Sequence, residues 1–174
     1  LREHFGFECQ CEVCLAEDAD GLNHLVGHAG CGGVGGVSLV DLMHEETVDG
    51  QRAIDNPIFR DRLVRLQAEL AAMKFNGLRL LTSASKGEDP GLARLIVQLQ
   101  SCELTHQISA LAIDVMGELG VLYDDSPYLR SHGSWQWGYM FQLGLIIGGG
   151  TAQIQKNIIS ERGLGMPREP KLAK

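Results

Sequence analysis

Apolar side chains recur along most of the chain at alternating steps of three and four. Leu63, Leu66, Leu70, Met73, Gly77, Leu80 and Ala84 fall on one stripe of a helix. Pro57 fits the first turn of that helix, where its missing N–H would have had no partner. A second run, Leu92, Leu95, Ile96, Leu99, Cys102, His106, Ser109, Ile113 and Met116, keeps the period until Gly117 and Gly120 end it. The turn-rich stretch 86–91 between them predicts an antiparallel helix pair. A third apolar segment runs from Trp135 to Ile147, followed by three glycines and then Thr151, a natural N-cap for a last helix with Ile154, Ile158 and Ile159 inside. Arg162 complements the dipole in its last turn, Gly163 marks its end, and Pro167 and Pro170 prevent continuation. Residues 37–46 predict one more short helix, and no stretch alternates long enough to make a strand. The expected fold class is all-α, an up-and-down helical bundle.

Composition divides the chain into a Cys-rich head (1–20), a Gly-rich connection (21–36), a helical domain (37–168) and a tail (169–174). With 174 residues, 44% hydrophobic and 21% charged, the chain can bury a core. Disordered, collagen-like and disulfide-dense classes are excluded on the same grounds. A net charge of -7 argues against a nucleic-acid partner, because backbone binding needs a cationic surface. No run approaches the roughly 20 apolar residues of a membrane span; Gln142 and Gly144 interrupt the best candidate. Leu1 to Gly6 lacks the pattern of a signal peptide, and Leu1 in place of methionine reads as the cut edge of a longer protein. Three of the five cysteines crowd into Cys9 to Cys14 while Cys31 and Cys102 stand alone. That spacing predicts reduced thiols or a metal, hence an intracellular, reducing compartment, with cytoplasm and mitochondrial matrix equally compatible. Gly30, Gly32 and Gly35 form a literal G-x-G-x-x-G, but 22–29 shows no strand pattern, so a hinge is the better reading than a nucleotide site. His106 lies on an apolar stripe and reads as a core or interface histidine rather than a catalytic one.

The segment Ile147 to Pro167, I-G-G-G-T-A-Q-I-Q-K-N-I-I-S-E-R-G-L-G-M-P, resembles the C-terminal signature of acyl-CoA dehydrogenases, close to G-G-T-x-x-I-Q-x-N-I-I-A-E-R-x-L-G-L-P. Its physical logic is legible on its own terms: glycines admit a ligand close to the backbone, and a Thr-capped helix start offers N–H groups to an anion. The likeness extends back to about Leu22 through Asp55-Asn56-Pro57, the M-G-E-L-G at 116–120 and Trp135-Gln136. It implies a four-helix bundle that packs against a partner subunit in a homo- or hetero-oligomer and contributes part of an FAD site, with acyl-CoA as the substrate of the complete enzyme. By the same resemblance, Thr151 and Gln153 match flavin contacts, and Gly117 and Gly120 match a turn near the FAD pyrophosphate, with Gly117-Glu118 replacing the usual doubled glycine. Arg52 matches an FAD-phosphate arginine, without the aromatic residue and glycine that normally follow it.

The family's chemistry takes a proton alpha to the thioester while a hydride leaves the beta carbon, which requires a carboxylate base. Gly149 and Ala29 stand at the two positions where members carry it, so no catalytic base is assigned in this chain: either the base lies on a partner chain or outside this segment, or the chain is catalytically dead. The family's N-terminal helical and middle β-domains also have no counterpart here. The expectation is therefore a C-terminal, FAD-contacting and oligomerising part of the enzyme, incomplete and inactive alone.

The head, L-R-E-H-F-G-F-E-C-Q-C-E-V-C, resembles a different family, the post-SET tail of SET-domain protein lysine methyltransferases. That likeness implies zinc held by the thiolates of Cys9, Cys11 and Cys14, a spacing that suits one tetrahedron. His24, His28 and Cys31 are open choices for a fourth ligand, and reduced surface cysteines are the plainer alternative. The rival reading of the whole chain is then a zinc-binding methyltransferase tail fused to a noncatalytic helical module.

Overall fold

The computed structural model describes residues 38–89, 91–123, 126–148 and 150–168. Helix α1 (Leu39–Glu45) starts at Ser38, whose Oγ accepts the Asp41 N–H at 3.2 Å. After it the chain makes a hairpin of two short strands, β1 (Thr47–Val48) and β2 (Gln51–Arg52), antiparallel with Thr47 opposite Arg52. Asp49 and Gly50 turn it with φ of 53° and 78°, the double positive φ that a tight two-residue hairpin requires. This hairpin corrects the expectation of no strand. Two-residue strands are too short to alternate, and only the Asp49-Gly50 pair announces them.

Helix α2 (Pro57–Ser85) is capped by Asn56, whose Oδ1 accepts the Ile58 N–H at 2.9 Å, with Pro57 at its first position. Helix α3 (Ala93–Met116) ends at Gly117, φ 55°, and passes into a 3-10 turn, Gly117–Val121. A second 3-10 turn, Arg130–Gly133, holds Ser131, His132 and Gly133 all at positive φ before α4 (Ser134–Ile147) begins. Helix α5 (Ala152–Gly163) completes the described chain.

The core joins Leu39, Leu42 and Met43 of α1 to Leu63, Leu66 and Leu70 of α2, with Leu104, Ile108, Leu111 and Val115 of α3 and Trp135 of α4. Helix α3 is the centre, touching α1, β1, α2, α4 and α5. The Arg62–Asp114 ion pair, 2.7 Å, ties the start of α2 to the end of α3, so the two are antiparallel as the turn-rich 86–91 stretch predicts. His106 against Tyr139 and Gln136 bonded to the Leu119 carbonyl set α4 antiparallel to α3 as well. Gly163 rests on Leu92, which lays α5 back along the first half of α3. The buried Glu46, paired with Arg130, fastens the hairpin to the entry of α4.

Two stripe readings need correction. On α2, cover fades after Leu70: Met73, Gly77 and Leu80 are half-buried, Ala84 is exposed, and Phe75, Leu78 and Leu81 face outward. On α5, Ile154 is 51% exposed, Ile158 and Ile159 are half-buried, and Gln155 is the buried residue. On α3 the sequence stripe captures only one side. A second stripe, Leu104, Ile108, Leu111 and Val115, is fully buried because neighbours surround this helix. The architecture among the described residues is helical, as the fold class requires, and no described helix is long and apolar enough to cross a membrane.

Candidate functional site

The signature segment builds one wall of a cleft. Helix α4 stops at Gly148, whose N–H bonds back to the Gly144 and Leu145 carbonyls. The chain then swings through Gly150, φ 111°, a backbone state that an L side chain rarely adopts. A Cβ there would lie 3.1 Å from Gln155 Nε2, so the Gln155 side chain would have to give by a few tenths of an ångström. Thr151 starts α5, its Oγ1 accepting the Ile154 N–H at 3.4 Å. The Ala152 and Gln153 N–H groups lie in the first turn of α5, where a helix supplies no carbonyl partner. They and the positive dipole end suit an electronegative ligand edge.

Opposite this turn stands α3. Between them lies a cleft of about 370 Å³, lined by Cys102, Glu103 and His106 on one side and by Gly148, Gln153 and Lys156 on the other. Glu103, Gln153 and Lys156 are exposed at its rim. The His106 ring is half-buried against Tyr139, centroids 4.5 Å apart and tilted by 32°. That placement agrees with the reading of His106 as an interface histidine between helices. Glu103, Lys156 and Tyr139 were not singled out by the sequence; Glu103, three residues before His106, was the available signal.

The other predicted contacts lie elsewhere. Gly117 sits about 16 Å further along α3 than His106, at 1.5 Å per residue. It is exposed with nothing near its missing side chain. Gly120 is buried, and a Cβ on it would fall 2.5 Å from the Ile113 carbonyl oxygen, so its small size serves the close approach of two backbone segments. Arg52 is exposed and pairs with Asp55 at 2.8 Å, near the α2 end that Arg62 ties to α3. Such an exposed pair contributes at most about 1 kcal/mol, so the guanidinium is available to a phosphate at low cost. The structure thus separates Thr151 and Gln153 from Gly117 and Gly120, which follow the far end of α3. Gly149, Ala29 and the cysteine head, with Cys9, Cys11, Cys14, His24, His28 and Cys31, lie outside the described residues. Among the described residues no three His, Cys, Asp or Glu side chains are grouped to hold a metal ion.

The family model for "Acyl-CoA dehydrogenase, C-terminal domain" matches residues 25–164. The chain belongs to the acyl-CoA dehydrogenase family. It is 35% identical over 119 residues to acyl-CoA dehydrogenase IpdE1 of Mycobacterium tuberculosis, covering 68% of this chain and 29% of that protein. Acyl-CoA dehydrogenase FadE26 of the same organism is 29% identical over 122 residues, 68% of this chain and 30% of that protein. Among solved structures, the ChsE4-ChsE5 complex from Mycobacterium tuberculosis aligns with a TM-score of 0.65 at 27% identity, covering 75% of this chain and 35% of that one. The Tcur3481-Tcur3483 steroid ACAD aligns at 0.60 and 22% identity, over 67% of this chain and 30% of that one, a likeness of fold. The chain therefore spans under a third of the length of the curated relatives it matches.

Proposed function

We propose that this chain is the C-terminal, flavin-contacting and subunit-contacting part of an acyl-CoA dehydrogenase that introduces a double bond between the alpha and beta carbons of an acyl-CoA thioester. The observation that carries the reading is the Gly148–Gln153 turn, which opens the N-terminus of α5 onto the cleft. FAD, when bound, supplies the hydride acceptor. The residues present fit one edge of it: Gly150 keeps a side chain out of the approach, Thr151 fixes the start of α5, and Gln153 offers an exposed amide at the rim. Arg52 and the open Gly117 turn, at the other end of α3, suit the phosphate portion of a dinucleotide, in the same or a neighbouring subunit. With Gly149 and Ala29 at the family's base positions, the proton acceptor belongs to a partner subunit or to the rest of the polypeptide.

The outward face of α4 supports a subunit contact. Trp137 and Phe141 stack with centroids 4.7 Å apart, and Met140 beside them is 60% exposed. That one aligned relative is a complex of two named components, ChsE4 and ChsE5, favours a hetero-oligomer.

Flavin content tests the reading. The purified assembly containing this chain should release FAD on denaturation and reduce a dye with acyl-CoA, and Gln153→Ala should lower the FAD retained. The chain alone should hold no FAD tightly and oxidise no acyl-CoA. An assembly without flavin would overturn the cofactor, and turnover by the isolated chain would overturn its incompleteness.

A further inference from the structure

The face that α3 turns toward α4 is polar where a helix interface is ordinarily apolar. Cys102, His106 and Ser109 follow one another on α3 at steps of four and three, and Trp135, Tyr139, Gln142 and Ile146 do so on α4. The His106–Tyr139 contact sets the two stripes face to face. Ser109 is 0% exposed, Trp135 1% and Gln142 6%. Four polar atoms of this seam, His106 Nδ1, Ser109 Oγ, Trp135 Nε1 and Gln142 Oε1, meet no hydrogen-bond partner among the described residues.

An unmet polar atom in a dry interior carries the full cost of its lost hydration, and four of them along one seam would be a heavy burden on a small domain. Their chemistry is complementary: an indole N–H donates only, an amide oxygen accepts only, a hydroxyl does both, and an imidazole nitrogen takes either part according to its tautomer. A buried water needs two to four such partners. The seam also has a mouth, because Cys102, His106 and Ile146 line the cleft as well.

We infer that the α3–α4 seam is an internal hydration site, in which ordered water entering from the cleft joins His106, Ser109, Gln142 and the Trp135 indole. The site stands on these helices alone and does not depend on the flavin reading. It extends the cleft inward as a blind polar branch.

Water-to-protein cross-relaxation NMR on the full chain tests this, with the two indole signals assigned by Trp137→Phe. The Trp135 indole proton should show a cross-peak to long-lived water, and Gln142→Met should weaken it. Thermal melts give an independent arm. In a hydrated seam, Gln142→Met and Ser109→Ala lower the melting temperature, because each strips a bonded water of a partner. In a dry seam the same changes remove an uncompensated polar atom and raise it. A Trp135 indole without a water cross-peak, together with more stable variants, would overturn the inference.

Discussion

Gly117 and Gly120 resemble each other in sequence and differ in what holds them. Gly117 needs its positive φ and has open space around it, whereas Gly120 has ordinary backbone geometry and the Ile113 carbonyl where a Cβ would go. Gly120→Ala should therefore cost about 1–3 kcal/mol through overpacking against backbone that cannot yield. Gly117→Ala should cost about 1–3 kcal/mol, from a backbone state, φ 55° and ψ -124°, that only glycine adopts without strain. Urea midpoints with unchanged slopes would check both, and a neutral Gly120→Ala would show that the turn relaxes. Sequence reading reached Gly120 as a turn glycine but not its contact, since the atom it must avoid lies seven residues back on α3, across the bend into the 3-10 turn, and no spacing rule encodes it. Thr151 was legible for the opposite reason. Its cap is local, made to the N–H three residues on, and Thr151→Ala should cost about 1 kcal/mol while Thr151→Ser keeps most of it.

At the scale of the helices, the apolar spacing and the capping residues located the five described helices to within a few residues. It could not say how far along each helix a neighbour reaches. Leu70 and Leu81 are equivalent as sequence, yet Leu70 is 2% exposed and Leu81 is 68%. Leu70→Ala should cost about 2–5 kcal/mol, and Leu81→Ala no more than about 0.5 kcal/mol, in the same denaturation experiment. Equal losses would mean that the second half of α2 is covered in solution. On α5 the misplaced Ile154 has a related cause. Its side chain lies beside the glycine turn, 3.5 Å from where a Cβ on Gly150 would fall, and Gln155 takes the buried position next to it.

For the whole molecule, the family and the helical class were written in the 147–167 segment and in the apolar periods. The cleft was half legible: Gln153 and Lys156 lie in that segment, while Glu103 and the α3–α4 seam arise from packing between elements distant in sequence. The exposed aromatic face of α4 makes its own prediction. Replacing Trp137 and Phe141 together by Glu should leave the urea midpoint within about 0.5 kcal/mol of the parent, as exposed changes do. Sedimentation velocity on the assembly should then show smaller species; an unchanged distribution would place the subunit contact elsewhere.

The position of α3 bears on how the chain comes apart. The four other described helices each lean on it. Fraying can therefore start at the thinly covered outer half of α2, whereas opening the stretch from Leu104 to Val115 exposes the most deeply buried stripe of the described core. Backbone amides between Leu104 and Val115 should accordingly exchange with deuterium only when the entire domain opens, at one common rate, while those beyond Phe75 on α2 exchange far sooner.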